Sequence, residues 1–139
     1  MSIAKEAETI MEERFGGDTV IALATSENDL PSVRYVNTFY EDGAFYVLTY
    51  ALSNKMKQLR TNPSAAIAAE WFTANAVGEN LGFFSRKENE EIARKMKVRF
   101  REWIDNGHSD LTDENTVILK LRLTNGVLFS HGTRYDLLF

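Results

Sequence analysis

Ser32-Val33-Arg34-Tyr35-Val36-Asn37-Thr38-Phe39-Tyr40, then Glu41-Asp42-Gly43, then Ala44-Phe45-Tyr46-Val47-Leu48-Thr49-Tyr50 form the stretch on which the fold turns, followed by Ser53-Asn54-Lys55. Two runs rich in β-branched and aromatic residues flank a tight turn carrying Asp-Gly, which reads as a β-hairpin. A short helix opens at Ser53. This order brings a fixed cation, a hydroxyl, an ammonium and the free amides of a helix start toward one end of a hairpin. Such a set suits a phosphate group. It is also the one place where polar chemistry, rather than packing, has chosen the residues.

Outward from the hairpin, the chain reads as short strands with few helices. Ile3, Ala7, Ile10, Met11 and Phe15 recur at three- and four-residue steps, which predicts an amphipathic helix over 2–15 ended by Gly16-Gly17. A strand over 19–25 leads through Glu27-Asn28-Asp29 to Pro31. After the hairpin, a helix over 53–61 stops at Asn62-Pro63, and an alanine-rich strand runs over 64–72. Residues 73–84 predict a strand interrupted at Gly78 and Gly82.

The strongest helical pattern spans 86–106, with Ile92, Met96, Phe100 and Trp103 as its apolar stripe and Asn106-Gly107 as its stop. Glu90 with Arg94 and Glu91 with Lys95 are placed to pair along it. Strict alternation over 116–124 predicts a half-buried antiparallel strand with Val117, Leu119, Leu121 and Leu123 inward. Asn125-Gly126 predicts a two-residue hairpin that folds Val127 to His131 back on that strand. The inventory is six or seven strands and three helices joined mostly by turns. It predicts a mainly β (α+β) antiparallel barrel with peripheral helices, not a doubly wound sheet.

Composition narrows the function classes. A length of 139 residues predicts one domain over 1–139. Hydrophobic residues at 44% and charged residues at 26% match a packed globular chain. The formal net charge of −4 supplies no bulk field for nucleic acid or an anionic membrane. The absence of cysteine excludes a disulfide framework, a thiolate metal site and a cysteine nucleophile. No apolar run approaches a membrane span and no signal-peptide pattern opens the chain, so a cytoplasmic protein is expected.

Each candidate site residue carries two readings. Arg34 stands in an otherwise apolar strand, either as a rim arginine paired with a carboxylate or solvent, or as a bidentate phosphate ligand. Ser53 is either a plain N-cap or the edge of an anion site whose amides donate to the ligand. Lys55 stands in the first helical turn, against the local dipole, a placement that an anion bound beside it would compensate.

Arg34-Tyr35-Val36-Asn37, Tyr46-Val47-Leu48-Thr49, Ser53-Asn54-Lys55, Leu59-Arg60-Thr61-Asn62-Pro63 and the run Ala66 to Trp71 together resemble the pyridoxamine 5'-phosphate oxidase-like FMN-binding split-barrel proteins. Leu121 to Tyr135 resembles the ending of a short bacterial subgroup, so the resemblance covers nearly the whole chain. It implies a homodimer of split barrels, with FMN in a groove at the subunit interface. It also implies that Arg34, Ser53 and Lys55 hold the FMN phosphate, that Val36 and Asn37 present backbone or side chain to the isoalloxazine with Thr49 beside it, and that Tyr35 and Asn54 belong to the same cofactor-binding set. The family often has arginine where this chain has Asn54, a departure that implies a weaker phosphate grip.

The resemblance thus implies an FMN-dependent oxidoreductase taking a small-molecule substrate or electron donor. A flavin carrier or sensor is the other reading, and relatives of this barrel also use haem or a deazaflavin. The basic run Arg94, Lys95, Lys97, Arg99 and Arg101 could serve nucleic acid, but Glu88, Glu90, Glu91 and Glu102 share its helix, which favours a solvated face. His131 and Arg134 are either structural or solvated, or make a polar contact to flavin or substrate from the partner subunit. His108 reads as a loop residue, and two histidines so far apart make a poor zinc site. Trp71 and Phe72 could stack on a flavin ring, with core or dimer packing as the plainer reading.

Overall fold

A computed structural model describes residues 3–107 and 109–139, so His108 lies outside the described residues. The elements are α1 (Lys5–Phe15), β1 (Thr19–Glu27), β2 (Leu30–Glu41), β3 (Ala44–Tyr50), α2 (Asn54–Thr61), β4 (Ser64–Ala69), β5 (Phe72–Phe83), α3 (Glu90–Arg99), β6 (Thr116–Ser130) and β7 (Thr133–Leu138). All strand pairings are antiparallel, in the order β3-β2-β1-β4-β5-β6-β7. A further β3–β6 ladder from Ala44↔Arg122 to Tyr50↔Thr116 closes six strands into a barrel, leaving β7 outside as an extension of β6. No described helix is long and apolar enough to cross a membrane.

Two-residue turns join the hairpins where left-handed backbone is available. Asn28-Asp29 and Asp42-Gly43 all have positive φ, the pattern that matches the twist of antiparallel strands. The expected turn at Asn125-Gly126 is absent, and β6 passes straight through it. Neither residue has positive φ. Instead the ladder slips at Asn75/Ala76 against Asn125 and Leu123, and a Cβ on Gly126 would stand 2.7 Å from the carbonyl oxygen of Thr73. The glycine serves a close approach of strands, and the reversal comes at His131-Gly132, both at positive φ.

Three further boundaries differ from expectation. The alanine-rich strand ends at Ala69, and Glu70-Trp71 turns the chain with Trp71 at φ 53°. Beyond it β5 is continuous through Gly78, whose missing side chain lets Leu59 of α2 sit against the strand. Helix α3 ends at Arg99, shorter than the apolar stripe predicted, because turns carry Phe100, Trp103 and Ile104 on to the same packing surface.

The packing divides into two cores. Inside the barrel, Ile21, Leu23, Tyr40, Phe45, Phe72, Leu119, Leu121 and Leu128 meet Met11 and Phe15 of α1 at one mouth, and Met56 and Leu59 of α2 at the other. Outside, α3 and the turns after it cover the reverse face of β2, β3 and β6. There Phe39, Tyr46 and Ile118 pack on Met96, Phe100 and Ile104. Ile118 is thereby buried, although alternation alone places it on the outward face. Each such side chain removed from water contributes roughly 1.5–3 kcal/mol. Glu41 ties the layer down by accepting from Lys95 and, at 2.9 Å, from Arg99. These contacts occupy two cations of the basic run in holding α3 to the barrel.

Candidate anion site at the mouth under α2

The ends of β1 and β3, the start of β2 and helix α2 converge on the barrel mouth opposite α1. β2 pairs with β3 only over Phe39–Glu41, after which β3 follows β6 and the wall parts. Residues 30–38 of β2 consequently pair on the β1 side alone. On the inner face of this half-open strand stands Arg34, and across the parting stand Thr49 and Lys55.

The Arg34 guanidinium is held by neutral oxygens. Its Nη1 donates to Thr25 Oγ1 at 2.7 Å and to the Leu23 carbonyl at 3.3 Å, and Nη2 donates to Gln58 Oε1 at 3.3 Å. The Thr25 hydroxyl also donates to Gln58 Oε1, while Gln58 Nε2 donates to Ser32 Oγ at 3.3 Å. Lys55 bends back from α2 so that Nζ donates to Thr49 Oγ1 at 2.6 Å and approaches Ser53 Oγ at 3.5 Å.

Neither cation forms an ion pair among the described residues, whose six salt bridges all lie elsewhere. Asp110 and Asp113 share a cleft with Thr49, but each carboxylate accepts from its own loop. Burial lowers the Arg34 pKa from its ordinary value. Burial lowers that of Lys55 too, and the nearby Arg34 charge pushes it the same way. Two like charges therefore face one mouth at a cost, a state that a bound anion relieves.

Helix α2 adds to the field. Ser53 is its N-cap, with extended backbone (φ −67°, ψ 160°), yet no side chain caps the helix and no acid stands in its first turn. The hydroxyl is left facing Lys55, and the first amides and the positive end of the dipole stay open to a ligand.

Of the residues expected from sequence, Arg34, Thr49, Ser53 and Lys55 come together here. Val36 also faces inward and packs partly against the barrel core. Tyr35 and Asn37 point from the opposite face of β2, and Tyr35 is 80% exposed. The Asn37 amide donates to Asp18 at 3.0 Å, and Trp103 Nε1 reaches the other Asp18 oxygen at 2.8 Å. Asn54 is exposed at the helix start.

His131 lies in the β6–β7 turn, at the α1 end of the barrel, and Arg134 pairs with Asp136 at 3.0 Å. Phe72 is core, packing on Phe15 with ring centroids 5.4 Å apart, whereas Trp71 is 70% exposed. Thr25, Ser32 and Gln58 escaped the sequence reading. Gln58 carried the one available signal, a polar residue on the buried side of α2 between Met56 and Leu59.

The outer wall offers a second surface. Val33 of β2, Ala22 and Ala24 of β1, Ala66 and Ala68 of β4, and Thr73 and Asn75 of β5 line a groove of about 450 Å³ with no charged residue in it.

Comparison with known proteins agrees with this architecture. The family model described as pyridoxamine 5'-phosphate oxidase matches residues 7–127. General Stress Protein 26 from Bacillus anthracis is 19% identical with a TM-score of 0.64, over 95% of this chain and 97% of that one. A FAD-binding protein from Mesorhizobium loti is 15% identical with a TM-score of 0.64, over 91% and 94%. HutZ, the heme storage protein from Vibrio cholerae, is 18% identical with a TM-score of 0.63, over 99% and 96%. No curated protein sequence matches the chain.

Proposed function

Because the chain belongs to the pyridoxamine 5'-phosphate oxidase family, we propose that it is an FMN-binding flavoprotein that works as an FMN-dependent oxidoreductase. The observation that carries this reading is the pair Arg34 and Lys55, two converging cations with no carboxylate partner among the described residues, beside the uncapped start of α2. That donor set fits a phosphomonoester dianion. Arg34 supplies a planar fork, Lys55 a point charge, and Ser53 a hydroxyl with helix amides behind it. Asn54 contributes no charge, so the grip rests on two cations.

On this reading the rest of the ligand lies along the parted wall. The half-paired edge of β2 offers the backbone of Tyr35, Val36 and Asn37 to a planar heterocycle, and Thr49 flanks it from β3. The bound flavin supplies the redox chemistry, and the protein's part is to bind it, orient it and set the electrostatics around it. The uncharged outer wall around Ala24, Ala66 and Ala68 suits a second copy of the chain, giving a homodimer.

A carrier or sensor of flavin or haem is the second reading. It draws on the fold shared with a heme storage protein and on the absence of an acid–base pair among the residues converging at the mouth. An absorption spectrum of the purified protein, with identification of the cofactor released on denaturation, tests the proposal. Flavin bands and released FMN are expected, with bleaching by NADH or NADPH and recovery on adding an acceptor. A colourless protein that takes up no added FMN would defeat it. A Soret band would favour the haem reading, and bound flavin that neither reductant bleaches would favour the carrier.

A further inference from the structure

Gln58 is 6% exposed and Thr25 is 2% exposed, which makes them two of the few buried polar side chains among the described residues. A buried amide is costly unless its atoms are paired, and here the pairing is directional. The Thr25 hydroxyl has one proton. It gives that proton to Gln58 Oε1, so it can only accept from Arg34 Nη1, while Arg34 Nη2 takes up Gln58 Oε1 from the other side. Arg34, Thr25 and Gln58 thus close a ring of hydrogen bonds. Ser32 anchors the far end of the amide through Gln58 Nε2. The ring fixes the plane of the guanidinium.

Every acceptor in this ring is uncharged. A glutamate at position 58 would fill the same space and bind Arg34 more strongly, because a charged hydrogen bond is worth about twice a neutral one. It would also cancel the charge that the mouth presents. The geometry points to Gln58 as the positioning residue that orients Arg34 toward a phosphate while leaving its charge unspent. In this role its neutrality sets the preference for a phosphorylated ligand over its unphosphorylated counterpart. The inference rests on the phosphate reading of the mouth and adds the residue that tunes it.

The test compares FMN with riboflavin, which differ only in the phosphate, on wild-type protein, Gln58→Glu and Thr25→Val. Removing a charged contact should lower FMN affinity roughly ten- to a hundredfold in Gln58→Glu. Riboflavin affinity should stay at the wild-type level, a selectivity that a merely structural role would not produce. Thr25→Val keeps the shape and opens the ring, so it should reduce the same ratio in the same direction even if Gln58→Glu fails to fold. A folded Gln58→Glu that discriminates as well as wild type overturns the inference alone. An unchanged ratio in Thr25→Val also overturns it. Wild-type protein that binds both flavins equally contradicts the phosphate reading itself, and the inference falls with it.

Discussion

Arg34 and Lys55 are the residues whose placement the proposed ligand explains, since both cations lie part-buried at one mouth without an ion pair among the described residues. Lys55 has a lowered pKa in the folded chain, through burial first and the Arg34 charge second. A base with a depressed folded pKa is carried protonated at a cost below that pKa. The cost fades as pH rises through the folded value toward the unfolded one. Lys55→Met should therefore make the ligand-free protein more stable at neutral pH, by about 0.5–2 kcal/mol. Its advantage should shrink at alkaline pH, and FMN affinity should drop. Thermal unfolding at the two pH values checks the sign.

Arg34→Ala should weaken FMN about ten- to a hundredfold, the usual worth of a charged hydrogen bond. It should shift stability by no more than roughly 1 kcal/mol, since its partners Thr25 and Gln58 keep each other. Titration of FMN and a thermal melt on the same sample separate these effects. At this scale the sequence was readable where chemistry and propensity conflicted. Arginine in an apolar strand and lysine at a helix start both stand out in the sequence, and the fold brings the two side chains to one mouth. Thr25 and Gln58 were hidden because threonine is ordinary in a strand and glutamine in a helix, and only tertiary contact gives either a role.

At the scale of elements, alternation and turn chemistry gave most of the barrel, and errors arose where one residue type serves two purposes. Asn125-Gly126 has the composition of a type I′ hairpin, yet Gly126 is there because Thr73 and Ala74 leave no room for a Cβ. Gly126→Ala should accordingly cost about 1–3 kcal/mol through overpacking at the β5–β6 slip. It should also speed amide hydrogen exchange in those strands rather than at a turn. Uniform exchange with unchanged stability would mean the close approach is not real.

Trp71 falls in a run with strand character because aromatic residues favour strands. Its positive φ is tolerated because Arg14 holds the Glu70 carbonyl at 3.1 Å and the Phe129 amide holds the Trp71 carbonyl at 2.9 Å. No local pattern announces contacts between residues so distant in sequence. The length of α3 failed for a related reason. Phe100 and Trp103 continue the helical stripe, and turns deliver them to Phe39 and Tyr46 equally well.

For the molecule as a whole, the barrel with α1 at one mouth and α2 at the other leaves an opening where the wall parts, and the proposed anion site lies there. The uncharged outer wall is the proposed seat of a second copy. Ala68→Glu adds a charge at an exposed position on that wall, so each barrel should remain folded while sedimentation shifts from dimer to monomer. FMN affinity should fall with it if the partner completes the groove. An unchanged oligomeric state would move the interface elsewhere.

Phosphate recognition at the mouth under α2 is tested by titrating ligand-free wild-type protein with FMN and with riboflavin, at low and at raised salt. FMN should bind at least tenfold more tightly than riboflavin, with the gap narrowing as salt screens Arg34 and Lys55. Equal binding of the two flavins, or a gap indifferent to salt, would contradict it.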